Sequence, residues 1–331
     1  MDDHQRARLA LQCCRTRYAP DSRVTVFDVT VGSTTTGSER DQLVLGGSVA
    51  TSELEAHACE AVQKATDGSV KSELSVLADE RGEQTVTVSV APVRGDASSD
   101  AEQVTQVLYG ATVVTFDCHD EWVRVRTPDG YLGWIETGVL ADPRMEGMDA
   151  VVTHEIAPDE VDHPIYAGTP CRIDGSDVVF RTGVRAERTG FESKSTLESD
   201  AAVRLPPDNP TDEDVVEIAQ QFFGTEYDWG GMTTDGIDCS GLAWIAYRVN
   251  GITLPRDADQ QRSMGETVSR DELLPGDLLF FPGHVAISLG GDEYIHAYGG
   301  DDAVVINSLD SDHDDYLADL DEKFELARRL I

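Results

Sequence analysis

The chain has 331 residues, 40% of them hydrophobic, which is enough for two or three domains with substantial cores. Its 62 Asp and Glu against 26 Lys and Arg leave a formal charge of −36 and a pI near 4.3, which excludes a phosphate-neutralising surface and with it nucleic acid as a partner. No apolar run approaches the roughly 18–20 residues of a membrane span, and residues 1–20 are charged and polar where an export signal is basic and then apolar, so a cytoplasmic chain with no membrane partner is expected.

Only four of the 26 basic residues are lysines (Lys64, Lys71, Lys194 and Lys323). An acid-rich, lysine-poor composition is similar to that of proteins from high-salt cytosol, where a Debye length of about 3 Å at 1 M salt screens the self-repulsion. A halophilic source is therefore expected, with a merely acidic, highly soluble protein as the alternative. Six cysteines (Cys13, Cys14, Cys59, Cys118, Cys171 and Cys239) scatter without CxxC pairs. Neither a structural metal nor a disulfide framework is expected, no cofactor is implied, and most of the six read as small buried hydrophobes.

Residues 2–18 read as a helix with apolar positions at Leu9, Leu11 and Tyr18, followed by the turn signal Ala19-Pro20-Asp21-Ser22. Val24, Val26, Val29 and Val31 suggest a strand, and 42–48 another. A helix begins at 51–55 with Ala56, Cys59, Val62 and Ala65 on one stripe, and a short strand follows near 74–77. This order resembles a BON-type small α/β unit. From about residue 84 the pattern changes to short β-runs at 85–90, 103–108, 112–117, 122–127 and 131–136, with Pro128-Asp129-Gly130 as a hairpin turn. The Trp122-x-x-Val125, Asp129-Gly130-Tyr131 and Gly133-Trp134 elements resemble a bacterial SH3-like barrel over roughly 84–142. Further strands are expected at 151–155, 164–173 and 177–185 as a second, degenerate barrel, and 192–209 reads as a linker.

Thr211 is placed to N-cap a helix through about Phe223, with Asp212, Glu213 and Asp214 in its first turn and Gly224 as its stop. Next comes Tyr227-Asp228-Trp229-Gly230-Gly231, then Asp238-Cys239-Ser240-Gly241-Leu242 opening a second helix whose Leu242, Ile245, Ala246 and Val249 share a face, with Asn250-Gly251 as its C-cap. Cys239 thus stands at a helix N-terminus, where partial positive charge favours the thiolate and makes it a nucleophile candidate. His284 begins one predicted strand and His296 lies in the next, across the turn at 290–293; a pivot near Gly290 would set the two opposite one another on one face, as a base and its orienting partner require. Taken singly, Cys239 reads as a buried hydrophobe and each His as a structural residue, and the two His could be half of a zinc site. The three together favour catalysis.

Six motifs in order carry a closer resemblance: Tyr-x-Trp-Gly-Gly at 227–231, Asp-Cys-Ser-Gly-Leu at 238–242, Leu-Pro-Arg-Asp with Gln-Gln at 254–261, Pro-Gly-Asp-Leu-Leu-Phe-Phe at 275–281, Gly-His-Val-Ala-Ile at 283–287 and Tyr-Ile-His-Ala at 294–297. Residues 212–300 resemble the NlpC-type, papain-like cysteine peptidases, which cleave γ-D-glutamyl to diamino acid bonds in cell-wall peptides. With a small α/β unit over 1–82 lying outside it, that resemblance implies a multidomain α+β chain: an SH3-like barrel over 83–145, a degenerate one over 146–205 and a papain-like catalytic domain over 206–331. It implies Cys239 as nucleophile, His284 as general base and acid, His296 as its orienting group and Tyr227 as oxyanion donor beside the Cys239 N–H. Paired SH3-like modules before such a domain resemble the subgroup acting on small free peptides. The positions matching its amine-binding groups are Glu102, Tyr131, Asp238, Ser240 and Asp257, with Arg256 also assigned to substrate binding. Ala258 departs from the family, where Ser is common. The competing expectations are a thiol acyltransferase or amidase on the same scaffold, and a non-catalytic SH3-type peptide-binding protein.

Overall fold

The computed structural model describes residues 1–34, 42–79, 82–187 and 202–331. The first unit comprises α1 (Asp3–Tyr18), β1 (Phe27–Thr34), β2 (Gln42–Val49), α2 (Ser52–Ala65) and β3 (Val70–Val76). β1 pairs antiparallel with β2, and α2 carries the chain over to β3, parallel to β2. The Asp2 and Thr51 side chains cap the two helices by accepting from Gln5 N–H and Leu54 N–H. The buried stripes differ from those expected. α1 buries Ala7, Leu11 and Cys14 and leaves Leu9 and Tyr18 49% and 41% exposed; α2 buries Leu54, Ala58 and Val62 and leaves Ala56 outside. Small residues at the contacts let the two helices pack closely over the Leu43, Leu45 and Val49 side chains of β2.

A seven-stranded sheet follows, built from β4 (Gly82–Val86), β5 (Val90–Arg94), β6 (Gln103–Leu108), β7 (Thr112–His119), β8 (Trp122–Arg126), β9 (Leu132–Glu136) and β10 (Leu140–Ala141) in the order β10-β4-β7-β8-β9-β5-β6. The β8–β9 hairpin turns where expected, with Gly130 at φ 92°. The run expected over 85–90 is instead two strands, because the chain turns between them: Thr87 N–H donates to Val139 O and the Ser89 carbonyl accepts from Tyr109 N–H. Val86, Val93, Val113, Val125 and Ile135 fill this unit.

β11 (Ala150–Val152), β12 (Pro170–Asp174), β13 (Asp177–Val179), β14 (Arg185–Glu187) and β15 (Val203–Arg204) form a five-stranded sheet in the order β14-β13-β12-β11-β15. The linker expected over 192–209 lies outside the described residues up to 201, and Val203–Arg204 beyond it is a strand paired with β11. Tyr109, from the preceding unit, sits in this core beside Phe180, so the two units share packing.

The remaining elements are α3 (Asp212–Gln220), β16 (Met232–Thr233), β17 (Gly236–Ile237), α4 (Cys239–Val249), α5 (Ala258–Gln261), β18 (Glu266–Val268), β19 (Leu278–Phe281), β20 (His284–Gly290), β21 (Glu293–Tyr298), β22 (Ala303–Ser308), α6 (Ala318–Glu322) and β23 (Leu326–Arg329). Thr211 and Asp214 form a capping box on α3, which ends at Gln220, three residues short of its expected end, before the turn closing on Gly224 at φ 82°. The six-stranded sheet runs β18-β23-β19-β20-β21-β22. α4 packs on β20 and is buried all round except at Arg248; the single apolar face expected for it is that of a surface helix, whereas this one is enclosed by α3, the sheet and the SH3-like unit. No disulfide joins any of the six cysteines among the described residues; Cys14, Cys171 and Cys239 are buried, whereas Cys13 and Cys118 are exposed, against the expectation that most are core residues. Among the described residues no helix is long and apolar enough to cross a membrane.

Candidate active site

The site is assembled where a glycine turn meets the start of α4. Gly230 has φ 76°, and a Cβ there would come within 2.9 Å of Gln103 O on β6, so glycine alone allows the turn to lie against the SH3-like unit. Asp238 caps α4: its carboxylate accepts from Gly241 N–H at 2.7 Å and reaches back to Gly230 N–H at 2.8 Å, tying turn to helix. Cys239 follows as the first helical residue and is 8% exposed.

Burial pushes the Cys239 thiol up to about 12 and the Asp238 charge adds to the rise, while hydrogen bonds from Val285 and Ser240 N–H and the Arg256 charge oppose it. The helix-terminus donors expected to favour the thiolate are therefore present but outweighed, and the resting group is a thiol. Val285 N–H also fixes the start of β20 beside the sulfur, with His284 one residue before it.

β19 turns into β20 through Pro282 and Gly283, with Phe281 opposite His284 and Gly283 at φ 69°. β20 pairs with β21 through Ile287 with Ile295 and Ser288 with Tyr294, with an irregularity before Gly290. This register sets His296 diagonal to His284 rather than opposite it, as the sequence suggested, and keeps both on one face. His284 Nε2 lies 2.8 Å from His296 Nδ1, and His296 Nε2 lies 2.8 Å from Asn307 Oδ1 on β22. The Asn307 amide is oriented by its Nδ2–H, which donates to Asp315 O at 3.1 Å. These contacts fix the tautomers in series. Asn307 Oδ1 can only accept, so His296 carries its proton on Nε2; His296 Nδ1 then accepts from His284 Nε2–H, and the lone pair of His284 is left on Nδ1. The imidazole pair thus spends on itself the lone pair that a zinc ion would need from His296. Asn307 was not singled out in the sequence; the available signal was a polar residue in the strand after that of His296.

Burial lowers His284 to about 3, with the His296 charge adding to the fall, and lowers His296 to about 4 against the Asn307 hydrogen bond, both from an ordinary 6.5. The unfolded chain therefore takes up more protons below pH 6.5, so the stability contributed by these neutral imidazoles is whole above that pH and is lost as pH falls toward 4 and 3. Unfolding free energy measured from pH 7 to 4 should fall more steeply in the wild type than in His296→Asn, by up to about one proton in slope. Equal slopes would show that His296 is not held neutral.

Cys239 opens on a pocket of about 370 Å³. Glu102 and Tyr131 of the SH3-like unit line it, as do Ser240 and Asp257, so the chain brings together the positions singled out on separate stretches of sequence. Burial, then the charge of the neighbouring Asp257, raises the Tyr131 phenol. Burial also raises Tyr227, with the charges of Cys239 and Asp238 adding, so a neutral phenolic O–H donor stands near the thiol. Two assignments need correction. Arg256 is 1% exposed and lies beneath the pocket; its five N–H donors go to Thr105 Oγ1, Asp238, Ser240 Oγ and Gly231 O. Asp238 lines the pocket, but its carboxylate accepts from Arg256, Gly230, Ser240 and Gly241, leaving no acceptor site for a substrate amine. Both residues support the site from below.

The NlpC/P60 family profile matches residues 224–317, and the bacterial SH3 domain profile matches 89–141. The probable endopeptidase NlpC of Escherichia coli (strain K12) is 38% identical over 123 residues, which span 33% of this chain and 79% of that protein. The chain belongs to the NlpC/P60 family. It is a cysteine peptidase built from an NlpC/P60 domain and a bacterial SH3 domain. The dipeptidyl-peptidase 6 of Lysinibacillus sphaericus is 29% identical across 263 residues, 71% of this chain and 94% of the relative. The gamma-D-glutamyl-L-lysine dipeptidyl-peptidase of Bacillus subtilis (strain 168) is 29% identical over 224 residues, 58% of this chain and 71% of the relative. The crystal structure of an NlpC/P60 family protein from Bacillus cereus ATCC 10987 shares the fold, with a TM-score of 0.60 at 21% identity, over 75% of this chain and 99% of that one.

Proposed function

We propose that this NlpC/P60 peptidase hydrolyses γ-D-glutamyl to diamino acid bonds in small peptides whose N-terminal amine is free. The observation that carries this reading is the pocket itself: the space in front of Cys239 is walled on one side by Glu102 and Tyr131 of the SH3-like unit, and meets Ser240 and Asp257 on the other. A carboxylate lining the same pocket as the nucleophile suits an ammonium, and a wall there suits a short peptide end rather than a continuing chain. The printed name of the Bacillus subtilis relative, a gamma-D-glutamyl-L-lysine dipeptidyl-peptidase, supports the same bond class.

In this mechanism His284 Nδ1 takes the thiol proton of Cys239 as sulfur attacks the γ-glutamyl carbonyl carbon. The carbonyl π electrons move to oxygen, where the Cys239 N–H and the Tyr227 O–H receive the negative charge. Collapse breaks the C–N bond, the leaving amine takes its proton from His284, and a thioester remains. Water, deprotonated by His284, then attacks the thioester and releases the acid and the thiol. His296 holds His284 throughout by accepting its Nε2–H, and Asn307 holds His296. The two titrations are coupled, because the imidazole ionises as the thiol is spent.

With L-Ala-γ-D-Glu-diaminopimelate, the protein should release free diaminopimelate, and N-acetylation of the alanine should reduce kcat/KM by about tenfold or more, since the pocket carboxylate then loses its charged partner. Equal cleavage of the two peptides would remove amine recognition from the reading, and no cleavage of either would remove the bond class.

A further inference from the structure

The N-terminal unit lies outside the matched regions 89–141 and 224–317, yet one of its side chains enters the pocket. Arg23 follows α1 in a turn in which the Asp21 carboxylate accepts from Arg23 N–H at 2.9 Å. The Arg23 carbonyl accepts from Leu132 N–H at 2.6 Å, next to Tyr131, which fixes the turn against the SH3-like unit. From there the guanidinium spends all five donors on three carboxylates. Nε and Nη2 bond Asp21 at 2.9 and 2.8 Å, Nη1 bonds Asp257 at 2.8 Å and Asp259 at 2.7 Å, and Nη2 bonds Asp259 at 2.7 Å. Gln260 closes the cluster by donating to Asp21 at 2.9 Å. Arg23 therefore holds the start of α5 against the N-terminal turn across 234 residues of sequence. By contrast, no described residue donates a side-chain hydrogen bond or forms an ion pair with the Glu102 carboxylate, which is exposed to the same pocket.

We infer that Arg23 is a specificity-determining positioning residue: by clamping the Asp257 carboxylate beside Tyr131, it shapes the amine end of the pocket and leaves Glu102 as the free acceptor for a substrate ammonium. The inference rests on the reading that this pocket receives a free N-terminal amine. It gives the N-terminal unit a part in substrate selection. Planarity matters to the role, since a guanidinium spans three carboxylates in one plane whereas an ammonium is a single point charge.

The test measures kcat and KM of the full chain with free and N-acetylated L-Ala-γ-D-Glu-diaminopimelate, for wild type, Arg23→Gln and Arg23→Lys, at a temperature where melting curves show each variant folded. Arg23→Gln should raise KM for the free peptide about tenfold with kcat within about twofold, and leave kcat/KM for the acetylated peptide unchanged, so that discrimination falls by the same factor. Arg23→Lys should recover only part of the loss. A lowered melting temperature with unchanged discrimination would make Arg23 a domain tether and overturn the inference. If Arg23→Gln does not fold, Arg23→Lys decides alone: discrimination below wild type supports the role, and equality overturns it. A wild type that cleaves both peptides equally sinks the amine reading itself and the inference with it, an outcome visible before any variant is made.

Discussion

Replacing Cys239 by serine should leave the melting temperature within a few degrees of wild type and reduce turnover about 10³-fold or more. The expected size follows from the resting protonation states. Burial raises the thiol and lowers the imidazole, so the resting pair is neutral, and in the proposed mechanism proton transfer is completed only as the Cys239 N–H and the Tyr227 O–H receive the developing oxyanion. A hydroxyl is a far weaker acid than a thiol and would make that transfer harder. Its shorter bond also withdraws the nucleophile from the carbonyl. Single-turnover assays with the γ-glutamyl peptide measure the loss; a serine variant retaining a tenth of the activity would mean that chemistry occurs elsewhere.

Substituting Arg256 by glutamine should destabilise the chain by about 3–5 kcal/mol, because it strands the Asp238 carboxylate with its counter-charge gone. Both side chains are almost wholly enclosed, Arg256 at 1% and Asp238 at 7% exposure, so water cannot replace the lost partner. The same change cuts the link from Thr105 Oγ1 to the catalytic part. Urea unfolding at fixed salt measures the effect, and the double variant Asp238→Asn, Arg256→Gln should recover part of it, since neither side chain then carries a buried charge. A loss under about 1 kcal/mol for the single variant would show that the pair is solvated.

The residues proposed for catalysis were legible because each sits on a local element with its own signal. Cys239 follows a helix cap, and His284 and His296 flank a glycine turn. What the hairpin signal missed was its register. The hairpin turns at Gly291 and Asp292, past the expected pivot at Gly290, and the irregularity between Ser288 and Gly290 then sets a register that keeps both imidazoles on one face, diagonal to each other. Arg256 was misread for a related reason. The stretch 254–257 marks Arg256 and Asp257 together, but only burial tells which of the neighbours faces the pocket. The stripes of α1 and α2 were partly misplaced: Ala7 and Cys14 join Leu11 on the buried face of α1, whereas Leu9 is exposed and Tyr18 meets α2 only by stacking on His57 at the solvent edge. Arg23 had no local signal, since its role exists only once residues 234 and 236 positions away are beside it.

The six-stranded sheet carries a consequence for the order of events during synthesis. β23 lies between β18 and β19, paired to Glu266–Val268 on one side and Leu278–Phe281 on the other. A nascent chain that has emerged only as far as β22 already contains Cys239, His284 and Asn307, but its sheet is split, with two unpaired edges facing a gap. The strand that carries the chain into His284 acquires its second neighbour only when residues 326–329 arrive. The peptidase sheet is thus kept incomplete, and Cys239 without a finished framework, until residues 326–329 have been made.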